Sequence, residues 1–172
     1  GATSIAVAGN NSFYTSMGRH ACATTADEVY CWGHNAAEMV AWLTIGGELG
    51  INTTLPMPYA RRPVSRLVNN ALEPLVPPNP PPASALALSS WSSSLITGDD
   101  QVVRWGYHQP LWPYGTTVTT GCEASCDQGC PCSWTAGELL AAEDAGPLTG
   151  VVAQAASGLT MCVVAGPDRE VL

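Results

Sequence analysis

The cysteines are the residues whose type and spacing most directly indicate chemistry, and the chain has seven of them. Four lie within eleven residues and could either bind zinc or form two disulfides: Cys122, Cys126, Cys130 and Cys132. Structural zinc sites usually join two Cys-x2-Cys pairs from separate parts of a chain. Because these four form one cluster with no histidine nearby, the spacing favours two disulfides, whose connectivity the sequence leaves open.

A further cysteine pair, Cys22 and Cys31, flanks a short break at Ala26-Asp27. The segments 20–25 and 29–33 on either side are two short β-prone runs, which predicts a hairpin. Cysteines placed symmetrically about its turn become direct cross-strand neighbours, with Cα atoms close enough to be bridged. We therefore predict a Cys22–Cys31 disulfide, and the high cysteine content predicts a secreted, extracellular protein.

The other groups that could do chemistry do not form a catalytic pattern. The three histidines, His20, His34 and His108, are scattered, and packed structural roles are expected for them. The sequence has no nucleophile elbow, no phosphate-binding loop and no His-Glu-x-x-His motif. The acidic pair Asp99-Asp100 falls in a predicted turn, where carboxylates accept backbone hydrogen bonds. We therefore expect no enzymatic activity, no catalytic residues, no metal site and no cofactor.

Composition argues against nucleic acid and anionic membrane surfaces as partners. Hydrophobic residues make up 46% of the chain and charged residues 12%, a balance that predicts a packed core rather than disorder. The formal net charge is −8, so the chain lacks the basic face that binding to nucleic acid requires. The uncharged segment 145–167 contains glycines and prolines, which favours two buried strands and a turn over a membrane span.

The predicted hairpin has a second copy downstream. An offset of 73 residues matches four positions of the first copy to identical residues of the second: Asp27 to Asp100, Val29 to Val102, Trp32 to Trp105, and Gly33 to Gly106. At the same offset Cys22 falls on Leu95. A weaker third copy covers residues 151–172. Similarity at a regular spacing indicates a repeat architecture, in which both Trp-Gly pairs would occupy equivalent core positions.

These residues resemble a known repeat family. The run 18–35, with its His-x-Cys-Ala, turn and Cys-Trp-Gly, is similar to the repeat of the regulator of chromosome condensation superfamily, particularly its extracellular members. A Gly-Glu-Leu-Gly turn at 47–50 and a Thr-Thr-x-Pro stretch at 53–56 follow, after an insertion. The resemblance implies an all-β fold: a partial or diverged β-propeller of about three blade-like antiparallel repeats with long inserted loops.

The expected organisation has five segments. Repeat 1 with its insertion spans residues 1–72 and is followed by a proline-rich polyproline II bridge at 73–83. Repeat 2 spans 84–120, a cysteine-rich insertion spans 121–134, and an incomplete repeat 3 spans 135–172. Repeat alignment makes Cys162 the equivalent of Cys22, so its disulfide partner is expected just beyond Leu172. The alternative for Cys162 is a buried free thiol.

Three repeats cannot close a propeller ring, so we expect assembly with other protein subunits, such as copies of the chain or neighbouring blades. The expected function is that of a secreted structural protein in an extracellular matrix, surface coat or filament. The candidate glycosylation sites are the following: Asn10, Asn52, Pro77, Pro78, Pro80, Pro81 and Pro82. For the prolines the favoured alternative is a stiff surface linker without glycans. The alternative is a soluble secreted binder or inhibitor of one protein target, whose surface would use the following aromatics: Trp42, Trp91, Tyr107, Trp112 and Tyr114.

Overall fold

The computed structural model describes residues 1–8, 19–40, 43–46, 48–51, 55–60, 63–69, 71–78, 85–90, 92–107, 132–138, 148–157, 160–166 and 170–171. In these ranges the chain forms fourteen β-strands and no helix, which confirms the all-β fold class. A helix that could cross a membrane is accordingly not found in the described ranges.

The first sheet is a three-stranded antiparallel meander of β1 (Ser4–Ala8), β2 (His20–Thr24) and β3 (Val29–Gly33). Its β2–β3 turn is closed by a hydrogen bond of 2.8 Å from the Thr25 N–H to the Glu28 carbonyl. The Thr25 hydroxyl also accepts a bond from the Glu28 amide, as short polar side chains do in turns. The expected insertion after this sheet forms a separate hairpin of β4 (Ala36–Val40) and β5 (Leu43–Gly46).

The second sheet has six strands in the order β7-β6-β11-β10-β9-β8. Strands β8, β9 and β10 form an antiparallel meander like the first one, and β11 continues it on the far side of β10. The expected boundary at 134/135 therefore falls inside a single strand of this sheet. The strand bounds are β6 (Ser65–Val68), β7 (Ala71–Pro74), β8 (Leu86–Leu88), β9 (Ser92–Ile96), β10 (Val102–Tyr107) and β11 (Cys132–Glu138).

The third sheet is again an antiparallel meander, of β12 (Val151–Ser157), β13 (Thr160–Ala165) and β14 (Glu170–Val171). The uncharged segment 145–167 thus contains two paired strands, as expected. The strands are not buried on both sides, however, because only their back face is covered and Ala155 and Cys162 on the other face are exposed.

The first two residues of the expected polyproline II bridge form part of a sheet instead. Glu73 and Pro74 are the last residues of the edge strand β7, where Pro74 pairs with Ser65. An edge strand tolerates proline because one side of its backbone has no partner strand. Leu75, the next residue, donates a backbone hydrogen bond of 2.8 Å to the Val64 carbonyl.

Strand register defines equivalent positions in the three meanders. The central-strand residues Cys22, Ser94 and Cys162 each stand opposite an alanine of the first strand: Ala6, Ala87 and Ala155 respectively. The expected match of Cys22 to Leu95 is therefore one residue out of register. The reason is that the β9–β10 turn has five residues, 97–101, whereas the β2–β3 turn has four, 25–28.

Side chains alternate between the two sides of each meander. We call the side that carries Cys22, Ser94 or Cys162 the front face and the opposite side the back face. The front face of the first meander packs on the back face of the second, in a core that contains Cys22, Cys31, Leu86, Leu88 and Trp105. The front face of the second meander packs on the back face of the third in a further core: Ile96, Val102, Val151, Val163 and Ala165.

Candidate functional site

The best-defined polar arrangement lies at the junction of the first and second meanders. It is positioned by Asn35, a fully buried residue two positions after β3. The Asn35 Oδ1 accepts a hydrogen bond of 3.0 Å from the Leu49 N–H, and its Nδ2 donates one of 3.1 Å to the Leu55 carbonyl. Gly50 then takes a left-handed φ of +63°, which turns the chain into the core. These contacts hold residues 48–51 against the second meander.

The backbone carbonyl of Glu48 accepts two hydrogen bonds from side chains of the second meander. It receives hydrogen bonds from the Trp105 indole N–H at 2.9 Å and from the Ser93 hydroxyl at 3.0 Å. The Nε2 of His20 lies 2.7 Å from the same Ser93 oxygen. Because a hydroxyl has one hydrogen and Ser93 gives it to Glu48, His20 must donate through Nε2.

This histidine–serine pair is arranged for packing rather than for nucleophilic attack. A catalytic base accepts the serine proton, whereas His20 donates to the serine oxygen. His20 and Ser93 are also only 2% and 1% exposed, so a substrate has no access to them. The pair therefore ties the front face of the first meander to the back face of the second.

The Glu48 carboxyl group is the feature that sequence reasoning missed. Glu48 is completely buried, and among the described residues no other side chain or backbone group hydrogen-bonds to its carboxylate oxygens. Burial raises the pKa of this carboxyl group from 4.5 to about 8, so it is neutral at pH 7. The sequence signal was the Gly-Glu-Leu-Gly turn at 47–50, which marks the loop but does not show that the glutamate points inward.

The two Trp-Gly pairs do occupy equivalent positions at the ends of β3 and β10, opposite His20-Ala21 and Ser92-Ser93. Both glycines have positive φ, +111° at Gly33 and +93° at Gly106. A Cβ on Gly33 would lie 2.5 Å from the Arg19 carbonyl oxygen, so this position requires glycine. Trp105 is completely buried, whereas Trp32 is half-buried.

The predicted Cys22–Cys31 disulfide is present, with Cα atoms 4.1 Å apart. Cys162 is a free thiol and is exposed, so the alternative of a buried thiol is wrong. In the antiparallel pair of β13 and β14, Val164 stands opposite Val171. In the same register, the position opposite Cys162 is two residues after Val171. A partner at that position stays a prediction.

The cysteine cluster and most candidate surface residues lie outside the described residues. The side chains of Cys132 and Tyr107, which are in strands, are also not described. Of the candidate glycosylation prolines, Pro77 is buried and Pro78 is half-buried. The predicted positions outside the described residues are Cys122, Cys126, Cys130, Asn10, Asn52, Pro80, Pro81, Pro82, Trp42, Trp91, Trp112, Tyr114 and His108.

Other candidate sites in the described part of the chain offer little chemistry. No group of three or more potential metal ligands occurs there. His34 is half-buried, and burial lowers the pKa of its imidazole. A half-open pocket of about 210 Å³ is lined by Arg66, Leu75, Val76, Thr97, Gly98 and Asp99. Its Thr97 hydroxyl shares its one hydrogen between the Asp99 carboxylate and the Gln101 carbonyl, so these polar groups stabilise the β9–β10 turn.

An exposed apolar surface lies on the back face of the first meander. Ile5 is 66% exposed and Val7 is 72% exposed, on the edge strand β1. Their equivalents in the second meander, Leu86 and Leu88, are buried in the first core at 6% and 9% exposure. The same structural position is thus covered in one meander and open in the other.

Comparisons with protein-family models, with curated proteins and with solved structures give no match to this chain.

Proposed function

We propose that this chain is a secreted structural protein that acts by assembling with other protein subunits. The observation that carries the proposal is the open back face of the first meander, where Ile5 and Val7 are exposed at positions that the second meander buries. A large apolar side chain gains about 1.5–3 kcal/mol from full burial, so covering two of them favours association.

We further propose that the three meanders are blades of a diverged, open β-propeller. In support, each front face packs on the next back face in chain order, and the first strand of the second meander, β8, contacts the first strands β1 and β12 of its neighbours. The similarity to the regulator of chromosome condensation repeat supports the same assignment. The proposed sites where subunits would join are the back face of the first meander and the front face of the third, where Val7 and Cys162 are exposed.

An extracellular location is part of this proposal. The Cys22–Cys31 disulfide lies in the packed core, where both residues are at most 1% exposed. Stable disulfides of this kind belong to oxidising compartments. The chain's net charge of −8 also fits a partner that is neither nucleic acid nor an anionic surface.

Sedimentation velocity over a wide concentration range tests the proposal. The chain is expected to form oligomers whose average mass rises with protein concentration. A single monomeric species at every concentration would contradict the proposed function.

A further inference from the structure

The packing within the chain indicates which surface covers the open back face, if the proposed assembly function holds. The first and second meanders provide the template, because the front face of one lies directly on the back face of the other. In that contact the Cys22 sulfur lies 3.9 Å from the Ser93 hydroxyl oxygen, and Ala6 packs against the shared core.

The third meander presents an open front face with matching residues. Ala155 and Cys162 are the equivalents of Ala6 and Cys22, and both are exposed. Ser157, also exposed, lies on the same face. All three have small side chains. The first meander likewise covers Leu86 and Leu88 with small side chains, those of Ala6 and Cys22.

We propose that the front face of the third meander of one copy packs on the back face of the first meander of a second copy. The contact would repeat the junction between the first and second meanders, with Cys162 of one copy against Ala21 of the next. Ala21 is the equivalent of Ser93, since Val7 and Leu88 are their respective partners on the first strands.

Charge is compatible with this contact. The back face of the first meander carries no charged residue in β1–β3, and the front face of the third carries none in β12 or β13. The nearest carboxylate, that of Glu28 just before β3, is hydrogen-bonded to the Tyr30 hydroxyl on the back face. Burying the two faces together therefore adds no charge from these strands. Because the faces differ, the contact is heterologous, and repetition gives either a closed ring or an open filament.

Charge substitution of the full chain gives the first test. Val7→Glu places a carboxylate in the proposed contact, and the matched control Leu72→Glu does the same on β7, where Leu72 is 49% exposed. Sedimentation velocity should show that Val7→Glu raises the concentration for half-maximal association roughly tenfold or more. Leu72→Glu should leave that concentration unchanged.

Crosslinking gives the second test and identifies the two faces. Isotopically labelled and unlabelled Val7→Cys chains are mixed and treated with a short bismaleimide, and linked peptides are identified by mass spectrometry. A link between position 7 of one chain and Cys162 of another is expected, and it should disappear when Cys162→Ser is added. Association without this link, and with both glutamate variants behaving alike, would overturn this inference while the proposed function stands. Complete absence of association would overturn both.

Discussion

Replacing Glu48 with glutamine should make the stability of the protein much less dependent on pH. The pKa of this carboxyl group is about 8 in the folded protein and near 4.5 when the chain is unfolded. Between these values the folded state retains a proton that the unfolded state has released. Unfolding is therefore increasingly favoured as pH rises, so the wild-type protein loses stability from pH 4.5 up to about pH 8.

The size of the loss follows from the two pKa values. They differ by about 3.5, and each pKa unit is worth about 1.4 kcal/mol, which gives a total loss of roughly 5 kcal/mol. About 3 kcal/mol of it is lost by pH 7 and about 4 kcal/mol by pH 8. Domains are stable by only about 5–15 kcal/mol in total, so this effect is readily measurable. A glutamine side chain does not titrate, and its own burial adds an offset that does not vary with pH.

Urea unfolding followed by tryptophan fluorescence at pH 5, 6, 7 and 8 would measure this dependence. Relative to wild type, the free energy of unfolding of Glu48→Gln should increase by roughly 1 kcal/mol for each pH unit. Glu73→Gln is the matched control, because it removes a carboxylate from an exposed position of β7. If Glu48→Gln and wild type lose stability in parallel from pH 5 to 8, the carboxyl group is not held neutral and the reasoning fails.

Three other substitutions test the packing of the same region. Replacing both Cys22 and Cys31 with alanine should lower the free energy of unfolding in urea titrations by about 2–3 kcal/mol. Gly50→Ala should destabilise more than Gly166→Ala in thermal melts, because both have positive φ but only at position 50 would a Cβ lie 2.8 Å from Trp105. Trp105→Ala should cost about 3–5 kcal/mol in urea unfolding, and a loss below 1 kcal/mol would contradict its burial.

Local patterns predicted the hairpins well because the residues that define a hairpin are close in sequence. The pairing of Cys22 with Cys31 follows from their placement about one turn, and the two strands within 145–167 follow from the absence of charge together with glycine and proline. The match of Cys22 to Leu95 failed because a single extra turn residue shifts one strand, which sequence offsets cannot resolve without the register.

Long-range pairing could not be predicted in the same way. Strand β11 lies between β10 and the parallel strand β6, and nothing in residues 132–138 specifies either neighbour. The burial of Glu48 depends on Asn35 and Trp105, which are 13 and 57 residues away in the chain. A glutamate in a glycine-flanked turn is typical of an exposed loop, so its position in the core only becomes visible when the second meander is in place.

The unequal burial of Trp32 and Trp105 follows from the order in which the meanders stack. Both residues lie on the back face of their meander, at equivalent ends of the third strand. Trp105 is covered because residues 48–51 and the front face of the first meander lie over it, which is why Gly50 approaches its ring so closely. Trp32 has no meander over it in the single chain and stays half-buried. Ile5, Val7 and Trp32 therefore belong to one surface. This surface is apolar because Val7 and Trp32 are the equivalents of Leu88 and Trp105, which form a buried core in the second meander.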